Sequence, residues 1–242
     1  MKVTLIGKTE IADWKLVECE QSDSGLRAML NQMEADDYAT EAETLIEFAG
    51  RSCYQSFHKP NPKTRANKDY IANIVAQGHH SVLEHASATF YIEGVSRALT
   101  HELIRHRHLS FSELSQRFVN VEDAEVVYPP AVRGDAVLEA NMDYAFRAAR
   151  QAYDGNNNLL TTAGFPRKQA REAARAVMPN ATETKIVVTG NHRAWRDAIG
   201  KRWHVAADRE ICELFGEILR QLREVAPAVY ADIPEVPFGM ED

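Results

Sequence analysis

Apolar and polar positions alternate in two stretches of the chain and recur with helical spacing in most of the rest. Ala86, Ala88, Phe90 and Ile92 alternate with Ser87, Thr89 and Tyr91, the period of two expected of a strand with one buried face. Gly94 is expected to end it. Thr182, Thr184, Ile186 and Val188 repeat the pattern against Glu183, Lys185, Val187 and Thr189, predicting a strand that runs into Gly190 and Asn191. The short apolar run from Val3 to Ile6, closed by Gly7, predicts an opening strand.

Helical spacing predicts a segment from Thr44 to Arg51 with Leu45, Phe48 and Ala49 on one side, and another from about 67 to 77 with Tyr70, Ile71, Ile74 and Val75 inward. Ser96 is a cap for a helix whose apolar stripe is Leu99, Leu103 and Ile104. A long amphipathic helix is expected from about 136 to 160, with residues 154–158 offering a point of interruption. The next, about 166–178, carries Arg167, Arg171 and Arg175 four apart on one face. Asn191 should cap a last long helix reaching about Val225, with Trp195, Ile199 and Ala206 on one side and Arg202 among them. Residues 20–40 are polar and acidic, Lys59–Thr64 holds two prolines, and 119–134 contains Pro129-Pro130, so these read as connections. No internal repeat is visible. The expected fold is α+β, a small mixed or antiparallel sheet flanked by long helices, as a single domain over residues 1–242.

Composition narrows the function. The 242 residues carry a net charge of −7 and a pI near 5.7, which argues against general nucleic-acid or membrane-surface binding, so any basic site must be local. No apolar run is long enough to span a bilayer and Met1–Thr9 lacks a signal-peptide layout, so a cytoplasmic protein is expected. Cys19, Cys53 and Cys212 are widely spaced and form no Cys-x-x-Cys pair, which suggests reduced thiols rather than a disulfide or zinc framework.

Local basic chemistry is concentrated between Glu102 and Phe118, where three arginines, two histidines and three serines occupy 17 positions. Arg105, His106 and Arg107 are consecutive and cannot share one helical face, so they can serve more than one ligand. Guanidinium forks suit phosphates and carbonyl-rich rings, and Ser110, Ser115 and Arg117 add a second row of donors. A solvated basic helix end is the plainer alternative. His79, His80 and His85 surround Ser81 and Glu84, but the spacing matches neither His-Glu-x-x-His nor His-x-x-Glu-His, so no metal is assigned. Arg202 on its apolar stripe either snorkels outward or meets a buried partner, and the sequence leaves both open.

The run Arg105-His106-Arg107, seven residues, then Ser115-Gln116-Arg117 resembles the signature of the flavin-dependent thymidylate synthases. The likeness extends from Phe48-Ala49-Gly50-Arg51-Ser52-Cys53-Tyr54 through the final helix. It implies reductive methylation of dUMP to dTMP, with methylenetetrahydrofolate as carbon donor and FAD reduced by NADPH as hydride carrier, in a homotetramer whose sites draw on more than one subunit. By the same resemblance Ser81, Arg105, His106, Arg107, Glu113, Asn191, His192, Arg193 and Asp197 hold FAD. At Asp197 many relatives have His or Asn, a departure at that contact. Glu102, Leu103, Ile104, Arg105, Glu113, Leu114, Ser115, Gln116, Arg117, Arg175 and Arg202 hold dUMP, with Arg202 the catalytic residue that favours the N3-ionised uracil ring. No Gly-x-Gly-x-x-Gly follows a strand, so a Rossmann-type flavin site is not expected. Two competing readings are a cysteine-dependent methyltransferase, which needs a thiolate activated by cations, and a non-catalytic RNA-binding module using the basic motif.

Overall fold

The computed structural model describes residues 1–12, 39–57 and 61–240. Most of the polar stretch 20–40, Cys19 and Lys59-Pro60 lie outside them. A four-stranded antiparallel sheet in the order β1-β2-β4-β3 is formed by β1 (Lys2–Lys8), β2 (Ser87–Ser96), β3 (Ser110–Glu113) and β4 (Glu183–Asn191). The alternation read from the sequence selects the core face. Ala88, Phe90 and Ile92 of β2 and Ile186 and Val188 of β4 are buried, and β2 and β4 pair in register, Ala88 with Gly190 and Phe90 with Val188.

Gly94 does not end β2. It adopts φ +67° inside a register shift between Ile92 and Val95, the bulge that a residue without a Cβ permits. A Cβ there would stand 3.1 Å from the Met1 nitrogen. The strand therefore continues to Ser96, whose hydroxyl caps α3 (Arg97–Leu103) by accepting from the Leu99 N–H. Helix α3 stops one residue earlier than its apolar stripe suggested, leaving Ile104 exposed. The short edge strand β3 was not expected, because Ser-Phe-Ser-Glu is too short for a periodic signal.

The long last helix is two helices. α6 (His192–Arg202) follows β4 without a loop, its N-cap Asn191 accepting from the Ala194 N–H at 2.8 Å. α7 (Arg209–Val225) restarts at Asp208, whose carboxylate accepts from the Glu210 N–H. Trp195 and Ile199 are buried as expected, but Ala206 lies in the break and is exposed. The break holds because Trp203 folds against α7. Its indole N–H reaches the Pro234 carbonyl, and a Cβ on Gly216 would stand 2.5 Å from its ring. Ile211, Leu214, Phe215, Ile218, Leu219 and Leu222 of α7 pack with Trp195 on the inner face of the sheet, each large side chain contributing about 1.5–3 kcal/mol by leaving water.

Two further pieces surround this core. α1 (Glu41–Tyr54) and α2 (Asn67–Ala76) form one. The buried face of α1 is not Leu45, Phe48 and Ala49 but Ala42, Ile46 and Gly50 together with Glu43, Glu47 and Arg51, charged residues that periodicity assigns to solvent. α4 (Ala136–Thr162) and α5 (Arg167–Ala174) form the other. α4 runs unbroken through 154–158, and only Phe146 and Tyr153 on it are buried. α5 gives way at Arg175 to a single 3-10 turn, Arg175–Val177. No helix among the described residues is long and apolar enough to cross a membrane.

Candidate active site

The basic motif sits where α3 unwinds. The His106 N–H bonds to the Leu103 carbonyl at 3.1 Å and the Leu109 N–H to the His106 carbonyl at 3.0 Å, so Arg105–His108 form a tight turn leading into β3. In that turn Arg105 and Arg107 are exposed, and neither makes a side-chain hydrogen bond or ion pair with a described residue. His106 points inward, its ring 6.0 Å from that of Phe215.

Arg202, the last residue of α6, meets this turn. Its Nε donates to His106 Nε2 at 2.9 Å, Nη1 to the Glu102 carboxylate at 2.6 Å, and Nη2 to the Glu102 carbonyl at 3.2 Å. The arginine side chain is 20% exposed, so the alternative left open by the sequence resolves to a partnered, half-buried guanidinium. Burial first, and then the Arg202 and Lys201 charges, lower the His106 pKa to about 4. The imidazole is neutral at ordinary pH.

Glu113 at the end of β3 is held equally firmly. One carboxylate oxygen accepts from Arg97 Nη1 at 3.1 Å, the Thr100 hydroxyl at 3.0 Å and the Thr184 hydroxyl at 3.2 Å. Thr100 and Thr184 are fully buried. The second oxygen has no partner among the described residues. Arg97, Thr100 and Thr184 were absent from the sequence-based site, since nothing about an arginine and two threonines on separate elements marks them as supports of one carboxylate.

Downstream, Leu114 joins the sheet edge through its N–H to the Lys185 carbonyl, and the Ser115 carbonyl accepts from the Phe118 and Val119 N–H groups. Gln116 is buried, and its amide Nε2 has no partner among the described residues. A buried donor without an acceptor costs about 1–3 kcal/mol, so a ligand acceptor there would be stabilising. Arg117 pairs with Glu172 at 2.7 Å and Arg171 donates to the Phe118 carbonyl at 2.5 Å, both tying the segment to α5. Arg175 is half-buried with no partner among the described residues, and Arg167 is exposed.

A groove of about 650 Å³ opens between α1, α2, the 3-10 segment His80–His85 and α6, lined in part by Cys53, Tyr54, Tyr70, Asn73, Ser81 and Arg193. Arg193 bonds to Glu84 at 2.5 Å, while Asp197 pairs with Lys201 at 2.6 Å. The His192 side chain lies in the interior and is not part of the lining of this groove. It is fully buried, its Nδ1 lies 2.7 Å from the Tyr230 hydroxyl, and burial lowers its pKa to about 4. The Leu103 side chain is likewise in the core, so only its backbone is available to a ligand. Of the cysteines, Cys53 is exposed, and Cys212 is buried with its pKa raised by that burial, the opposite of an activated thiolate. No group of three or more His, Cys, Asp or Glu side chains that could hold a metal occurs among the described residues.

The structure therefore brings Glu102, His106 and Arg202 into one contact, fixes Glu113 beside α3 and β4, and places Ser81 and Arg193 on one groove. A family model described as "Thy1: Thymidylate synthase complementing protein" matches residues 36–228. The chain is 50% identical over 247 residues to a "Probable flavin-dependent thymidylate synthase" of Mycobacterium phage D29, covering 99% of both proteins. It is 54% identical over 206 residues to a "Flavin-dependent thymidylate synthase" of Mycobacteroides abscessus, covering 81% of this chain and 82% of that protein. A similarly named protein of Mycobacterium bovis is 54% identical over 210 residues, with 81% and 82% covered. With the match running through the Arg105–Arg117 motif, β4 and α6, this chain belongs to the family of the thymidylate synthase complementing proteins.

Proposed function

We propose that the protein is a flavin-dependent thymidylate synthase that methylates dUMP to dTMP, with FAD as its flavin, NADPH as reductant and methylenetetrahydrofolate as carbon donor. The observation that carries the chemistry is the anchored Arg202. Arginine has five N–H donors, three are committed to His106 and Glu102, and two remain. A fixed cation with free donors stabilises charge developing on a ring more than a mobile one does, since it need not reorganise. Arg202 would hold the uracil ring and favour its N3-ionised form.

The donor set suits two phosphorylated ligands. Arg105, Arg107 and Arg175 have no protein partner among the described residues, and Gln116 presents an unpaired amide. Arg105, Arg175, Ser115, Gln116 and Arg117 would hold the nucleotide. Ser81, Arg105, Arg107, Asn191 and Arg193 would hold FAD, which when bound supplies the redox chemistry. Glu113 would face both ligands, its free oxygen able only to accept, so it would meet a hydroxyl or ring N–H and keep phosphates away. Ser115 has no activating base in contact with its hydroxyl among the described residues, which favours a nucleotide contact over a nucleophile.

The homotetramer belongs to the same proposal. Val137, Leu138, Tyr144 and Leu159 stand exposed on α4, an apolar face suited to a second copy, with sites then shared between subunits. A single domain over 1–242 and a cytoplasmic location complete it. The comparisons offer the RNA-binding alternative no support.

The test is direct. Purified protein should show the absorbance of oxidised flavin, lose it on anaerobic NADPH, and form dTMP from dUMP only when methylenetetrahydrofolate is supplied. Arg202→Ala should abolish dTMP formation. A colourless protein that forms no dTMP when FAD is added would refute the proposal.

A further inference from the structure

We propose that Glu102 and His106 are positioning residues that set the orientation of Arg202, acting on the nucleotide through that guanidinium. The inference rests on the proposed function and adds a positioning role to two residues that the family resemblance gave to dUMP and to FAD.

The argument begins with donors and acceptors. Arginine can only donate, so the 2.9 Å contact from Arg202 Nε to His106 Nε2 requires that Nε2 carry no proton. His106 is therefore the neutral tautomer with its proton on Nδ1. Its half-buried location against Phe215 and the adjacent positive charges disfavour a second proton. Nε2 is thereby occupied by the protein and is not offered to a ligand. Glu102 is committed twice, through its carboxylate and its main-chain carbonyl. The carbonyl lies in the last turn of α3, where it also accepts from the Arg105 N–H at 3.3 Å and where a cation is favoured.

The geometry matters because Arg202 is the terminal residue of α6 and its side chain is long. Unanchored, it would sample many rotamers, and ordering it on the ligand would subtract from binding. Contacts on Nε and on both terminal nitrogens fix the plane of the guanidinium and leave one N–H on each terminal nitrogen. Glu102 also balances the charge of Arg202 before the nucleotide arrives.

The experiment compares His106→Leu, His106→Gln, Glu102→Ala and Glu102→Gln with the full-length parent, measuring bound flavin per chain and the kcat and KM for dUMP. Glutamine offers an oxygen near the position of Nε2, whereas leucine offers none. His106→Leu should keep its flavin and lose about 10- to 100-fold in kcat/KM for dUMP, the worth of a hydrogen bond to a charged group, and His106→Gln should recover most of that loss. Glu102→Ala should lose activity in the same way and Glu102→Gln should retain more of it. In the His106→Leu/Arg202→Ala double variant, which makes no dTMP, the histidine change should add almost nothing to the loss of dUMP affinity read by equilibrium binding. The inference is overturned if His106→Leu loses flavin while its residual holoenzyme handles dUMP normally, or if glutamine is no better than leucine. Nitrogen-15 spectra of histidine-labelled protein give a readout that does not depend on turnover. A His106 protonated on Nε2 would overturn the inference in an active enzyme, whereas the expected Nδ1–H tautomer in a protein that makes no dTMP would refute the proposed function alone.

Discussion

Replacing Arg51 by Leu should destabilise the protein strongly although Arg51 contacts no proposed ligand. Arg51 and Glu47 are both only 5% exposed. The guanidinium donates through Nε to Glu47 at 2.6 Å and through Nη2 to the Thr64 carbonyl at 2.9 Å, and it lies 4.5 Å from the centre of the Tyr70 ring. Asn67 Nδ2 completes the cluster by donating to the other Glu47 oxygen at 2.9 Å and to the Glu43 carbonyl at 3.1 Å. Leucine would leave the Glu47 carboxylate with one donor in a dry site, a loss of about 3–5 kcal/mol. In a chain of this size each kcal/mol lowers Tm by about 2–4 °C, so the melting temperature should fall by roughly 6–20 °C. Glu47→Met combined with Arg51→Leu removes both charges and should recover most of the loss, as apolar replacement of a buried pair often does. Thermal unfolding followed by circular dichroism reads both numbers. A shift below about 2 °C for the single variant, or a double variant no better than the single, would refute the view that an uncompensated buried charge is the cost. Because α1 and α2 wall the groove at Ser81 and Arg193, the single variant should also retain flavin less well.

Three other outcomes are expected. Gly50→Ala would place a Cβ 2.2 Å from the Tyr70 hydroxyl, so despite the better helix propensity of alanine it should lower stability by about 1–3 kcal/mol, and pairing it with Tyr70→Ala should relieve the clash in the same melting assay. His192 has a folded pKa near 4, below its unfolded value near 6.5, so the unfolded chain takes up a proton first. Its contribution is fully present above about pH 6.5 and is lost as pH falls toward 4, by about 3 kcal/mol, with half-buried His106 adding a smaller loss. Urea titrations at pH 7.5 and pH 4.5 should show this, and a His192→Phe variant should lose less than the parent between them. Iodoacetamide should modify Cys53 and spare Cys212 in the native protein, as mapped by peptide mass, and Cys212→Ala should still form dTMP. Loss of turnover in that variant with an unchanged melting temperature would revive the thiolate reading.

The strands that carry the core were legible because one face of each is buried and the other is not, so β2 and β4 alternate cleanly. The α1 face was misread because its interior is held by Glu43, Glu47, Arg51 and Asn67, whose mutual bonds are made between α1 and the start of α2. Periodicity sees the charges and misses their partners. The division of the last helix into α6 and α7 depends on Trp203 reaching Pro234, a contact across 31 positions. The site motif was readable as a composition and, by family likeness, as a set of residues. What could not be read was the pairing within it, Arg202 with Glu102 and His106 rather than with a ligand alone, and Arg193 with Glu84 rather than Asp197, since those partners lie about 100 positions apart.

The direct passage from β4 into α6 limits how the gene can vary. Adding one residue between Asn191 and Arg202 would turn Arg202 by about 100° and advance it by about 1.5 Å, and no intervening loop exists to absorb the change. Length polymorphism should therefore accumulate in connections such as 119–134 and be purged from this eleven-residue helix, where deletions and insertions are expected to be as damaging as loss of the arginine itself.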